Sequence, residues 1–596
     1  GSDTTICTNP SLPCGTVQYA VDVAGPGDVI RVATGSYTGI NTNGGLAQVV
    51  YIDKSLVIRG GYDVAFLDPP DPDDRPTILD AEGQGRAIFA TGSTVSVTLE
   101  GLHLTGGNAN LFLPEDAGGG AFCADDVHYV LLSNSVVVSN TADIGGGVYY
   151  HRCDSSLLAA SEIYSNTARA GAGIYFHNTG NPKLTDSEIY SNTSEHNGAG
   201  VHLASGYYDA VLEGNTIRHN ETTDGGGGGG IYLRGTNDPW LYNNEIYSNT
   251  ATSQGGGLYL NDSRNSDVIS NTISNNVATS NGGGVHIANC DGCTFEDNTI
   301  SGNRNPAQTG GGVFLSSSDR VTFRDNRIHD NVAQGERGGG LFVTSCPDLS
   351  LVENSIYGNE ATGGGGLYFW STSSGATVAG NEIYSNTAGG GGGLYFYSSS
   401  EATIDSNEVY SNTANNGGGI FLYGGTDLVL RNNILWANEA TYGSGARVQS
   451  DGAQFLHTTI ARHVGDGIAV FGGTLRMTNT ILVRNTVGVR VWSDCTATLT
   501  NTLWGNGIWA NADDWVLQDG TSVLNTGTDN YWDAPVFVDP DAGDYHIDPI
   551  SGAIDRGAYA GVFHDVDDEP RLYVPDLGAD EYWPPGTVFE YVYLPL

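Results

Sequence analysis

The chain has 596 residues, with 24 Lys and Arg against 67 Asp and Glu and a net charge of −43. That balance excludes a nucleic-acid partner, because phosphate binding needs a cationic footprint and Lys54 and Lys183 are the only lysines. Glycine occupies 86 positions, about twice its usual share, yet 39% of residues are hydrophobic, so the glycine belongs to an ordered, turn-dense fold.

The chain opens at Gly1-Ser2 without Met or an apolar leader, as a trimmed chain would. Cys7 and Cys14 lie close together and fit a disulfide formed in an oxidising compartment. Cys290 and Cys293 are also close, while Cys123, Cys153, Cys346 and Cys495 are scattered, and no Cys/His spacing fits a zinc site. Val17, Ala20, Val21 and Ala24 fall at helical spacing before the break at Gly25-Pro26-Gly27, which predicts a short amphipathic helix covering the first coil. The first strands are expected over 29–32 and 56–59. No stretch approaches the roughly 18 uninterrupted apolar residues of a membrane helix, so no membrane span is expected.

From residue 135 the chain repeats one sentence, as in NEIYSNTATSQGGGLYL and NEIYSNTAGGGGGLYF. Equivalent positions at 135, 161, 187, 215, 244, 271, 298, 326, 354, 381, 407 and 433 are 26 to 29 residues apart, which is the signature of one solenoid. After each Gly triplet, apolar residues alternate over a very short run, as in Val148/Tyr150, Ile174/Phe176 and Leu258/Leu260, which selects strands. Strands about 4.8 Å apart, stacked over 18 to 20 coils, would make a right-handed parallel β-helix on the order of 90 Å long. The expected organisation is a cap with first coil (1–50), a β-helix body (51–525), a loop-rich closing segment (526–583) and an extended tail (584–596). The Asn that ends each repeat, from Asn140 to Asn438, would stack into a ladder, with Asn supplying the left-handed turn.

The opening coils CGTVQYAVDVAGPGDVIRVATGSYTG, SLVIRGGYD and PTILDAEGQGRAIF resemble secreted bacterial right-handed parallel β-helix repeat proteins of the pectate-lyase-like superfamily. The GGGLYF repeat with its downstream Asn is similar to repeats of polymorphic outer-membrane adhesins, and PDLGADEYW to the closing segment of surface-anchored β-helix proteins. The resemblance implies a secreted, extracellular or cell-surface location, and it leaves activity open because this fold hosts lyases, hydrolases, adhesins and structural proteins alike.

Polygalacturonase tripeptides are absent, and the Asp-Asp pairs at 73/74, 125/126, 513/514 and 567/568 have no accompanying motifs, so no catalytic residue is assigned and no activity is expected. Calcium is considered at Asp68, Asp71, Asp73 and Asp74 and at Asp565, Asp567 and Asp568, beside the plainer reading of solvated acidic loops. Two aromatic rows are expected to face outward, ready to stack glycan rings or a partner. The first includes Tyr149, Tyr175, Tyr232, Tyr259, Tyr368 and Tyr395; the second Tyr164, Tyr190, Tyr247, Tyr357, Tyr384 and Tyr410. In the tail, Phe589, Tyr591 and Tyr593 are placed to add a strand to a second copy. The leading expectation is a non-enzymatic surface protein that associates with itself through this tail. The alternatives are a glycan-binding adhesin and a polysaccharide lyase or hydrolase.

Overall fold

A computed structural model describes residues 1–4, 7–43, 45–111, 118–204, 209–371, 375–527, 529–584 and 586–587. The tail residues Phe589, Tyr591 and Tyr593 lie outside the described residues. The chain is an all-β parallel solenoid of about 18 turns with one short α-helix, Val17–Val23. No helix among the described residues is long and apolar enough to cross a membrane. Two compact units, Gly1–Glu336 and Arg337–Leu596, are described in turn.

In the first unit the helix begins where Thr16 accepts the Tyr19 N–H, and Asp3 fixes Thr16 in place. Val17 and Val21 are buried, while Gln18 takes the Tyr51 N–H at 2.6 Å and donates to the Tyr51 carbonyl at 3.3 Å. Those two bonds occupy backbone groups of the strand Leu46–Ile52 that would otherwise be open to pairing. Lys54 donates to the carbonyls of Val21 and Ala24, satisfying the helix C-terminus.

Each repeat builds four short strands, for example Val148–His151, Ser155–Ala159, Glu162–Tyr164 and Thr167–Ala170. Each pairs in parallel with its equivalent one coil on, so that Val148 meets Ile174 and Tyr150 meets Phe176 with all four side chains in the core. The Gly triplet is explained by two different constraints. Gly255 holds φ +60°, where a Cβ is costly, while a Cβ on Gly256 would lie 2.3 Å from the Gly283 carbonyl oxygen of the next coil.

The asparagine ladder forms as expected, with one correction. The left-handed residue is the one before each Asn, such as Ser165, Ser191 and Ser248. The Asn itself is buried and bonded along the stack. In the rung from Asn220 to Asn249 the backbone N–H and Nδ2 of Asn220 both reach Oδ1 of Asn249 at 3.0 Å, and Asn220 Nδ2 also caps the Ile189 carbonyl of the coil before. A second ladder, Asn215, Asn244, Asn271, Asn298 and Asn326, runs beside it through the same bonds.

The second unit continues both patterns on its own coils, with Asn359, Asn386, Asn412 and Asn438 in one ladder and Asn354, Asn381, Asn407 and Asn433 in the other. His463 then takes the Asn position and receives the Asn438 N–H on Nδ1 at 3.0 Å. The closing segment is not loose. Its hairpin of Phe537–Asp539 and Asp544–Ile547 buries Phe537, Tyr545 and Ile547, together with Leu577 and Ala579 from further along the segment, in one cluster with Ile434, Ala461, Ile481 and Val483 of the coils. Cys7 pairs with Cys14, and Cys290 with Cys293; the other four cysteines are buried.

Replacing Asn249 by Ala strands the Asn220 N–H, one Asn220 amide hydrogen and the Ile217 carbonyl inside the stack. At about 1–3 kcal/mol for each buried orphan, the first unit should lose roughly 3 kcal/mol or more, read as a lower denaturation midpoint by circular dichroism. An unchanged midpoint would mean that the ladder adds nothing to stability.

Candidate functional site

The first aromatic row does not face outward in the way its alternation suggests. Tyr149, Tyr232 and Tyr368 are 7%, 4% and 1% exposed, and Tyr175, Tyr259 and Tyr395 are half-buried. The glycine turns lie directly on these rings: a Cβ on Gly118 would be 2.3 Å from Tyr149 and one on Gly227 would be 2.7 Å from Tyr259. The second row is half-buried and stacked on itself. Tyr164 lies 4.7 Å from Tyr190, and Tyr357, Tyr384, Tyr410 and Trp436 follow at 4.6–4.9 Å and within 9° of parallel. Ring faces are therefore spent on neighbouring rings or on cations, as where Arg218 covers Tyr190 at 4.2 Å, and edges are what remain to meet a sugar. Tyr247 departs from this pattern and meets His219 edge-on at 6.1 Å.

Among the described residues, most of the acidic side chains considered for calcium are engaged within the protein or stand apart from other ligand groups. Asp68 is engaged by Arg31 at 2.9 Å and by the Tyr62 hydroxyl, Asp71 accepts the Asp74 N–H, and Asp73 and Asp74 join no convergent ligand set among the described residues. Asp565 is buried and accepts three backbone N–H groups, those of Asp567, Glu569 and Glu581, so it shapes a turn. Asp568 is exposed in a left-handed turn. Asp567 alone of the second set meets other ligand-type groups, converging with His546 and Asp580. In that cluster burial drives Asp580 up to about 7, and hydrogen bonding to Asp567 raises His546 to about 10.

In the first unit the stacking assembles chemistry that linear motifs do not show. The fourth positions of successive strands are Asp125, His151 and His177, in register one above another. Asp125 Oδ1 accepts from His151 Nδ1 and from Arg152, both at 2.9 Å. The His151 and His177 rings stack at 5.1 Å, and the Tyr149 hydroxyl lies 3.1 Å from His177 Nδ1. Tyr175 packs on His177 at 5.6 Å. His151, Asp125 and Arg152 keep 25%, 30% and 56% of their side chains exposed, so the upper edge of this group is reachable from solvent.

The electrostatics separate these groups. Burial, with the charges of His151 and Arg152, pushes His177 below its ordinary value and keeps it neutral. Burial would raise the Asp125 carboxyl, but hydrogen bonds from His151 and Arg152 outweigh it and hold Asp125 below the usual carboxylate range. Burial raises the Tyr149 hydroxyl well above 10. A neutral imidazole, a protonated phenol, an oriented second imidazole and a guanidinium thus sit together, which is equipment for moving protons beside an anionic group. Among these residues only Tyr149 and Tyr175 are singled out from sequence, and Asp125/Asp126 is there an acid pair without companions. The signal is present once the chain is laid out coil by coil, because AFCADD, GVYYHR and GIYFHN align at a step of 26.

The chain belongs to the right-handed β-helix family, whose model, a right handed beta helix region, matches residues 80–246, 199–383 and 381–503. Among solved structures it is similar to the A-module of the Azotobacter vinelandii mannuronan C-5 epimerase AlgE6, with 14% identity over 64% of this chain and 91% of that one and a TM-score of 0.33. It is also similar to a mutant form of the periplasmic alginate epimerase AlgG, at 12% identity over 82% of this chain and 85% of that one, TM-score 0.25. These likenesses are ones of fold. No curated protein matches the sequence.

Four buried histidines set an acid limit on stability. Burial pushes His202 down to about 3, His286 and His463 to about 4, and His457 well below its ordinary value. Each is therefore neutral when folded, and its contribution is complete above the unfolded value near 6.5 and is lost as pH falls from there toward 4. Each adds a slope of up to about 1.4 kcal/mol per pH unit in that window. In His286→Phe, which matches Phe314 of the next coil, the fall in melting temperature between pH 6.5 and 4.5 should be shallower than in the parent. Equal slopes would show that His286 does not titrate on unfolding.

Proposed function

We propose that this chain is a polysaccharide-active β-helix enzyme that removes a proton from a sugar carbon next to a carboxylate, a lyase-type reaction on an acidic glycan. The observation that carries the reading is the Asp125–His151–His177–Tyr149 arrangement with Arg152 at its edge. Neutral His177 is the base: the C–H bond breaks, the proton goes to the imidazole, and the electron pair is delocalised into the substrate carboxylate, which Arg152 neutralises. His151, held by Asp125, returns a proton to the leaving glycosidic oxygen as the carbon–oxygen bond breaks and the new double bond forms. Tyr149 fixes the ring of His177 through its hydroxyl. A net charge of −43 opposes encounter with a polyanion, so turnover at low ionic strength should rise with added salt.

Two other readings have less support. A glycan-binding adhesin would use the aromatic rows, but their ring faces are largely occupied by other rings. A self-assembling structural protein would depend on the tail, and the tail residues that would carry it are not described.

Incubation with pectate, alginate and neutral glycans, followed by ultraviolet absorbance of unsaturated ends and by deuterium uptake from heavy water, tests the proposal. An acidic glycan should gain unsaturation, and His177→Ala and Tyr149→Phe should lower kcat by roughly 10²-fold or more without changing the fold by circular dichroism. Because burial lowers His177, the acid limb of kcat/KM should fall below pH 6.5. Absence of both products from every glycan, with the protein folded, would end the enzymatic reading.

A further inference from the structure

The closing segment of the second unit brings His546, Asp567 and Asp580 together from three stretches that are distant in sequence. Their ligand atoms lie within 4.8 Å of one another. That spacing is close to the width of one coordination shell with bonds of about 2.0–2.2 Å. We propose that these three side chains bind one divalent transition-metal ion, of the zinc or manganese type, which staples the closing segment together.

Four observations lead there. First, His546 Nε2 is buried and lies 2.8 Å from Asp567 Oδ2, so this nitrogen already faces a carboxylate away from bulk solvent. Second, the other ring nitrogen, Nδ1, is 2.6 Å from Asp544 Oδ1. A carboxylate on the far nitrogen fixes the tautomer that presents Nε2 as a ligand, and most metal-binding histidines are held this way. Third, Asp580 is 6% exposed, and among the described residues its carboxylate takes a single hydrogen bond, from the Ile547 N–H at 2.6 Å. A carboxylate this deep ordinarily has a cation or several donors. The nearby guanidinium does not serve it, because Arg571 directs its side chain to Glu581, to Asn432 and to backbone carbonyls. Fourth, three carboxylates, those of Asp544, Asp567 and Asp580, gather around one imidazole, and a divalent ion would favour the ionised form of the buried Asp580.

The ligand types choose the metal. One imidazole nitrogen with two carboxylates suits zinc or manganese, whereas calcium prefers six to eight oxygens, which this group cannot offer. The location gives the ion its purpose. His546 lies on the hairpin strand Asp544–Ile547, Asp567 on the turn shaped by Asp565, and Asp580 beside the buried Leu577–Ala579 stretch. One ion would therefore add a further link among three segments that already touch through Ile547 N–H to Asp580, Val566 N–H to the Ala579 carbonyl and Glu581 N–H to Asp565. Beyond it lies a groove of about 550 Å³ between Val562–Asp568 and the coil turns bearing Asp405, Arg431 and Asn432. Asp567 is the one ligand that also lines this groove.

The test uses the full chain, stripped with a chelator and titrated with Zn²⁺, Mn²⁺ and Ca²⁺ by calorimetry and thermal unfolding. One equivalent of Zn²⁺ or Mn²⁺ should bind and raise the melting temperature, with Ca²⁺ much weaker. Asp580→Asn should abolish tight binding, and Asp544→Asn should weaken it about 10-fold or more. Should either variant fail to fold, Co²⁺ added to the unaltered protein supplies a second reading: visible d–d absorption that saturates at one equivalent and is displaced by Zn²⁺. No stoichiometric binding, no cobalt spectrum, or binding unaffected in both variants would overturn the proposal and leave His546 an imidazolium between Asp544 and Asp567.

Discussion

Everything in this chain depends on parallel stacking in strict register. Because Val148 meets Ile174 and Tyr149 meets Tyr175, any property written at one position of the repeat is multiplied along the unit. A buried polar residue becomes a column of buried polar residues, which is affordable only if each member satisfies the next. Asparagine does this: its carbonyl oxygen takes two hydrogen bonds from the rung before it, and its amide hydrogens reach the rung after it and a backbone carbonyl. A lone buried amide would cost stability, whereas a column closes its own hydrogen-bond ledger and fixes the register at the same time.

The same multiplication explains why the aromatic rows are poor platforms and why the His–Tyr–Asp group is a better candidate. Rings repeated at one position lie within stacking distance, so a row such as Tyr384–Tyr410–Trp436 satisfies its faces internally. Chemistry appears where the repeat is broken. At the strand end, where the later coils of the first unit carry Ala204, Arg234, Asn261, Ala288 and Ser316, Asp125, His151 and His177 follow one another, and three titratable groups come together within two steps of the stack. Solvent reaches this edge, while the aromatic residues beneath it are sealed by glycine turns.

The closing segment follows another logic. It has no repeat, and it gains order from a mixed core with Ile434, Ile481 and Val483 and from backbone-capping carboxylates such as Asp565 and Asp576. Its acidic residues look alike in sequence but divide into three kinds once folded. Some cap turns, Glu581 pairs with Arg571 in the interior, and some surround His546.

The sequence by itself determined the fold, because a 26 to 29 residue period, alternation after each Gly triplet and an invariant Asn leave few structures able to satisfy them all. It also determined the capping helix and the Cys7–Cys14 pairing, since both depend on near neighbours in the chain. What it could not decide was which side of each aromatic position is covered. Tyr149 sits at an outward position by alternation, yet the turn at Gly118 folds over it, and that turn belongs to the coil before. The step of 26 aligns Asp125 with His151, but only the coil geometry decides that their side chains meet. Nothing in the sequence brings His546 to Asp567 and Asp580, because the closing segment has no repeat and its backbone is placed by packing on the coils.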